Sequence, residues 1–201
     1  MKLIVDTSNH ALILLLIYPN GETKHFIDLN TRDFSANTAE QISEFLKVNS
    51  VKPTDLTAVI AGVGPGSYTG TRVAVTIVKT MAYALKIPAY SLSSFALYAS
   101  TLKVSEILLY KSARNQNYYV GLFSNNTALQ ADALIKEADL AELKNKYSNY
   151  LSQELSEITV FSGGFNLKLI ENNLVLVDSF ALEPNYLRKT EAEINYDQKN
   201  N

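Results

Sequence analysis

Eight consecutive apolar residues, Ala11 to Tyr18, run without alternation and stop at Pro19-Asn20-Gly21. A run this short, closed by so strong a turn signal, reads as a strand buried on both faces rather than a helix. Before it, Leu3-Ile4-Val5 is a shorter apolar run that ends in the turn-rich Asp6-Thr7-Ser8-Asn9. After it, Glu22 to Leu29 alternates in part, as a strand nearer a sheet edge does. The three make an antiparallel meander, with Asn20-Gly21 at the second hairpin.

The pattern then changes period. Asn37-Thr38-Ala39-Glu40 fits a capping-box variant with Asn37 as the cap, and Ala39, Ile42, Phe45 and Leu46 recur at helical spacing. Val51 to Asp55 leads out to a second buried strand, Leu56 to Val63. The turn Gly64-Pro65-Gly66-Ser67-Tyr68-Thr69-Gly70 feeds a helix over Thr71 to Lys86, and Pro88 opens a strand over Ala89 to Leu92. Three strands, helix, strand, helix, strand is the order of a ribonuclease-H-like lobe of the actin-like (ASKHA) fold.

Beyond Ser93 the signals are shorter. A helix is expected within Ser94 to Leu102, strands at Glu106 to Tyr110 and Asn117 to Phe123, and a helix over Lys136 to Tyr150. Short strands follow at Ile158 to Phe161 and Leu174 to Val177. The expected organisation is an α/β chain of two lobes in close contact. An N-terminal lobe covers 1–93, a smaller, shortened α/β lobe covers 94–190, and 191–201 is a polar tail.

Composition removes several chemistries. With no cysteine there is no disulfide, thiol nucleophile or thiolate zinc site, and the two histidines, His10 and His25, cannot share a helix turn. A Ser–His–Asp triad around Ser67 lacks a nearby histidine. The net charge of −2 argues against a chain that coats nucleic acid alone. An aspartate after only three apolar residues rules out a signal-peptide core at the N-terminus, and no apolar run approaches the ~20 residues of a membrane helix. A cytoplasmic protein without membrane contact is expected.

The loop at 64–72 sits between a buried strand and a helix. Its glycines permit positive φ and close approach of another backbone, and Ser67, Thr69 or Thr71 can cap the helix start. Free N–H groups there suit an anion, yet no lysine follows Gly70 as a phosphate loop requires, and the dinucleotide pattern also fails. A structural turn (Gly64, Pro65, Gly66, Ser67, Gly70) and a contact site both remain open. The helix beyond it is apolar over more than one face, with Thr76, Lys79 and Thr80 its only polar interior positions. Such a helix is buried on more than one side, by the rest of the chain or by a partner. Asp6 could meet a magnesium-bound phosphate, or could simply accept hydrogen bonds from the turn that follows it. Ser162-Gly163-Gly164 could contact an adenosine, or be a tight turn.

Asp6-Thr7-Ser8, Gly64 to Arg72, Ala113-Arg114 and Pro184-Asn185-Tyr186-Leu187-Arg188 together resemble, in order and position, the bacterial TsaB (YeaZ-like) family of tRNA threonylcarbamoyladenosine biosynthesis. The resemblance spans nearly the whole chain. It implies an actin-like relative of the enzyme TsaD that lacks a metal site and binds no cofactor, save a nucleotide shared at the interface with its partner. It implies a non-catalytic subunit that pairs with TsaD through the helices of its first lobe. With a small TsaE-like ATPase, that complex installs threonylcarbamoyl on the adenosine next to the tRNA anticodon, so tRNA is met only through the complex. The pairing segments would be 37–49 and 71–86. Thr38, Gln41, Ile42, Phe45, Arg72, Val75, Val78, Met81 and Ala82 are then the candidate interface residues, and a homodimer through the same surface is expected when the partner is missing. Arg32-Asp33-Phe34-Ser35 and Lys111-Ser112 depart from the family's usual histidine and acidic stretches. The alternative is an enzyme, either an actin-like ATPase or a glycoprotease-like hydrolase.

Overall fold

The computed structural model describes residues 1–9, 11–29, 34–155 and 164–187. The first sheet holds β1 (Lys2–Asp6), β2 (Leu12–Ile17), β3 (Thr23–Asp28), β4 (Ala58–Gly62), β5 (Ala89–Leu92) and β11 (Leu174–Val177), in the order β11-β5-β4-β1-β2-β3. The β1–β2 and β2–β3 pairs are antiparallel, while β1–β4 and β4–β5 are parallel. This is the meander followed by crossover units that the sequence order predicts, and the actin-like fold class is borne out. Gly21 takes φ of +83° in the second hairpin.

The unbroken apolar run of β2 has a direct cause. Leu12, Leu14 and Leu16 pack with α1 (Phe34–Val48) and α2 (Tyr68–Leu85) on one face. Ile13, Leu15 and Ile17 pack on the other with α3 (Ser94–Ala99) and the second sheet. Each strand residue alternates sides, and both sides are core, so polar alternation has no place to appear.

The second sheet runs β10-β6-β7-β8, with β9 also pairing β7. Its strands are β6 (Glu106–Ala113), β7 (Asn117–Ser124), β8 (Thr127–Ala128), β9 (Ala133–Lys136) and β10 (Leu151–Glu154); the helices α4 (Glu137–Lys146) and α5 (Leu167–Asn172) accompany it. All six residues of α3 are buried at the junction of the two sheets. Its N-cap, Ser93, accepts from the Ala96 N–H and donates its own hydroxyl proton to Asp132 at 2.6 Å.

Several details differ from the sequence reading. Helix α1 begins at Phe34, so Asn37 lies exposed within the first turn instead of capping it. Ala39 also turns out of the core, and Thr38 takes the buried place beside Ile42, Phe45 and Leu46. Helix α4 stops at Lys146, short of Tyr150. A turn of 3₁₀ helix, Pro53–Asp55, sits in the loop after α1, with the Asp55 carboxylate accepting from the Lys52 N–H at 2.8 Å. Strand β11 returns to pair β5 in the first sheet, so the chain crosses back over the boundary expected at 93. The expected strand at 158–161, the Ser162-Gly163 turn, His10, Arg188 and the tail at 191–201 lie outside the described residues.

Candidate functional site: a sealed polar junction and an open apolar groove

At the end of β1 the chain turns through Asp6, Thr7 and Ser8, all fully buried. The Asp6 carboxylate accepts from the Ser8 N–H at 2.9 Å, from the Ser8 hydroxyl at 2.8 Å and from the Ser94 hydroxyl. Burial pushes its pKa up, against the pull of those hydrogen bonds and of the Lys111 ammonium. Lys111, on β6, donates to the Asn9 side chain, and its own pKa is lowered by burial. Asn9 in turn donates to the Ser8 hydroxyl at 2.9 Å. One connected network therefore joins β1, α3 and the second sheet. Asp6 acts as the turn-former, its oxygens occupied from within the chain.

The glycine-rich loop closes on this turn backbone to backbone. Ser67 N–H donates to the Ser8 carbonyl at 2.6 Å, and the Thr7 hydroxyl donates to the Gly70 carbonyl at 2.6 Å. A Cβ at Gly66 would fall 2.3 Å from the Ser8 carbonyl oxygen, and one at Gly70 would fall 1.9 Å from that of Thr7. No side chain fits either gap. Of the three capping candidates, Ser67 is the N-cap of α2, accepting from the Gly70 N–H at 3.2 Å. Gly64 takes φ of +91°, and its N–H donates to the Ser94 hydroxyl at 3.0 Å. The loop is pressed against the turn after β1 through these contacts.

Helix α2 presents three different sides. Thr71, Ala74, Val75, Val78 and Ala82 recur at three- and four-residue spacing and are buried toward the sheet. Val75, Val78 and Ala82, expected at the interface, face the core in the lone chain, with exposures of 4%, 0% and 3%. Thr38 is fully buried for the same reason, and Phe45 packs on Phe26 within the core. A second side is crossed by the segment after β11, which leaves Tyr83 and Phe180 largely exposed. Lys79 donates to the Phe180 carbonyl at 3.0 Å, and the Tyr83 and Phe180 rings meet edge to face at 5.5 Å.

The third side stays open. Between α1 and α2 runs a groove of about 780 Å³. Ile42 and Leu46 of α1, with Val51 of the loop after it, form one wall, and Ile77, Met81 and Leu85 of α2 the other. Of the expected interface residues, Ile42 and Met81 line this groove and Gln41 lies half-buried on α1. Ala39 and Ala84 widen it by having short side chains. Sequence reasoning missed Ile77 and Leu85. The four-residue repeat Val73, Ile77, Met81, Leu85 on the helix was the signal that could have found them.

Arg72 stands at the end of this side of α2. Its guanidinium carbon lies 3.9 Å from the Tyr68 ring centroid, and its Nε donates to the Tyr186 hydroxyl at 2.6 Å. The Tyr68 and Tyr186 rings are 5.7 Å apart. Tyr68 and Arg72, with Thr69, Val73, Thr76 and Ile77, line a smaller cavity of about 350 Å³, which shares Thr76 and Ile77 with the groove. His25 lies on β3 with its ring 5.6 Å from that of Phe165. Among the described residues no three His, Cys, Asp or Glu side chains gather where they could hold a metal, and no helix is long and apolar enough to cross a membrane.

Comparison with known proteins gives a consistent answer. A family model described as tRNA N6-adenosine threonylcarbamoyltransferase, TsaD, matches residues 28–154. The tRNA threonylcarbamoyladenosine biosynthesis protein TsaB of Bacillus subtilis (strain 168) is 27% identical over 218 aligned positions that cover 95% of each chain. The protein of the same name from Haemophilus influenzae is 31% identical over 97 positions, 48% of this chain and 41% of that one. The solved structure of YeaZ from Pseudomonas aeruginosa superposes with a TM-score of 0.70 over 92% of this chain and 99% of that one, at 19% identity.

Proposed function

We propose, starting from the fact that this chain belongs to the TsaB/YeaZ family of TsaD relatives, that it is the non-catalytic partner subunit of a TsaD-type threonylcarbamoyl transferase. Its place is in threonylcarbamoyladenosine modification of tRNA. It pairs with the enzyme through the α1–α2 face and meets tRNA, and the TsaE-type ATPase, only in the assembled complex in the cytoplasm. It carries no cofactor of its own.

The observation that carries this reading is the contrast between the N-terminus and the flank of α2. The polar end is sealed by hydrogen bonds from within the chain, whereas the flank of the helix borders an open apolar groove where Ile77, Met81 and Leu85 remain half-buried. Leaving that much apolar surface wet costs free energy in proportion to its area, at about 25 cal/mol per Å². Apolar faces of this kind mark protein–protein contacts. The enzyme alternative asks Asp6 to hold a metal-bound phosphate, and its oxygens already serve Ser8 and Ser94. Mixing the purified chain with the TsaD homologue of its own organism tests the reading. Co-elution as a single species is expected, with no change in melting temperature of the lone chain on adding magnesium–ATP. A large shift with magnesium–ATP, combined with no co-elution, overturns it.

A further inference from the structure

Lys111 sits where an apolar residue belongs. Ile107 and Leu109 precede it on the same face of β6, and both are fully buried in the core between the two sheets. The next residue on that face is aimed at the first sheet. An aliphatic side chain there would complete the row, whereas a cation costs free energy unless a partner meets it. The partner is assembled across the junction. The Lys111 ammonium donates to the Asn9 side-chain oxygen, the Asn9 amide donates to the Ser8 hydroxyl at 2.9 Å, and that hydroxyl donates to Asp6 at 2.8 Å.

At the far end of this relay the chain makes room for a negative charge. Asp6 is fully buried. Gly62, at the end of neighbouring β4, leaves the space that the carboxylate fills: a Cβ there would fall 1.9 Å from one of its oxygens. The Ser8 N–H and the Ser94 hydroxyl also donate to it. Burial, and the charge of Asp6, raise the pKa of the Tyr98 phenol beside it. Lys111 is the one cation that the described residues set against this carboxylate. It favours the ionised form of Asp6, and Asp6 in turn favours the ionised form of Lys111. Removing either ion leaves the other in the junction without its countercharge.

We propose that Lys111 is a built-in counter-cation, which clamps the second sheet to the first through Asn9 and Ser8 and fills the space where a dissolved cation would otherwise neutralise Asp6. Cut back to its Cβ, the side chain vacates a site for a small primary ammonium ion. The matching probe is n-propylammonium, which is the lysine side chain beyond its Cβ. The clamp lies on the opposite face of the first sheet from α1 and α2, so it works with or without a partner on those helices.

Urea unfolding of wild type, Lys111→Met, Asp6→Asn and the double variant measures the coupling between the two ions. Each single change is expected to lower the folding equilibrium constant by about 30-fold or more. The double variant should lose about tenfold less than the product of the two. Lys111→Ala is then melted in n-propylammonium chloride, in n-propanol and in sodium chloride at equal concentration. A rise in melting temperature of about 3 °C is expected with n-propylammonium alone, absent from wild type and from Lys111→Ala combined with Asp6→Asn. Should Lys111→Ala fail to fold in plain buffer, refolding in n-propylammonium but not in n-propanol gives the same answer. Losses that simply multiply in the double variant, or a Lys111→Met chain as stable as wild type, overturn the counter-cation. A Lys111→Ala chain that responds alike to n-propanol and n-propylammonium, or to neither, overturns the vacated site.

Discussion

The N-terminus and the flank of one helix behave in opposite ways. At the N-terminus of α2, polar groups are buried and every one that the structure describes there finds its partner within the chain, down to backbone contacts that admit only glycine. Along the flank of the same helix, Ile77, Met81 and Leu85 are only half-buried and border an open groove whose other wall belongs to the core. A ligand site normally shows the reverse pattern, with unsatisfied polar groups converging on a cavity. The contrast is what the proposed pairing surface rests on, while the glycine loop contacts β1 and α3 through hydrogen bonds to Ser8, Thr7 and Ser94.

The contrast can be broken most severely within α2. Val78→Glu puts a lone carboxylate into a fully buried position and is expected to unfold the chain, at a cost of about 4 kcal/mol. Met81→Glu, three residues on, faces the groove; the lone chain should keep its stability within about 1 kcal/mol while losing affinity for the TsaD homologue by at least about 30-fold. Urea denaturation and calorimetry of both variants check the pair. If the two behave alike, the division of the helix into inner and outer sides is wrong.

The sealed junction is tested next. Gly70→Ala forces a Cβ into the Thr7 carbonyl and should cost about 3 kcal/mol. Its effect on partner affinity should be only that of lost folded protein, so affinity corrected for the folded fraction is the quantity to compare.

A third closed contact responds to pH. Burial raises the Asp132 pKa from 3.8 to about 6, with the Ser93 hydrogen bond pulling the other way. A carboxyl raised in the folded state favours folding in its protonated form. The stability it contributes is complete below about pH 4, declines as pH rises, and is lost above about pH 6. Because the side chain is only partly shielded, the loss should be about 1–2 kcal/mol, below the roughly 3 kcal/mol that 1.36 kcal/mol per unit would give over the whole shift. Asp132→Asn, which can still accept from Ser93, should remove this slope and melt higher than wild type at pH 7. Thermal melts between pH 4 and 7.5 give the answer.

The smallest effect is expected at the groove's edge. Tyr186→Phe removes one exposed hydrogen bond to Arg72 and should change stability by no more than about 0.5 kcal/mol. It should still loosen the guanidinium, seen as faster exchange of the Arg72 Nε proton.

How much of this was legible beforehand follows from distance along the chain. The meander, the glycine turn and the extent of β5 rest on local periodicity and turn chemistry, and the structure agrees with them; α2 starts at Tyr68, one turn before the expected Thr71. The double burial of β2 was readable because neither face needed polar residues. The direction each side of α2 faces was not readable. A helix apolar nearly all round has no polar stripe to mark the outside, so Val75 and Val78 looked as available as Met81. The start of α1 was missed because Asn37 satisfies a capping pattern that the helix, already one turn old, does not use. Contacts between distant residues left no local mark at all. Arg72 meets Tyr186, Ser93 meets Asp132, and β11 returns to β5, each through packing that only the folded chain creates.

Hydrogen exchange on the chain alone and mixed with its TsaD homologue tests the central claim most directly. The account predicts new protection in residues 39–53 and 73–85, with residues 6–9 and 64–70 unchanged because they are already closed. Protection that appears at the glycine loop, or a groove that exchanges as fast in the mixture as alone, would contradict it.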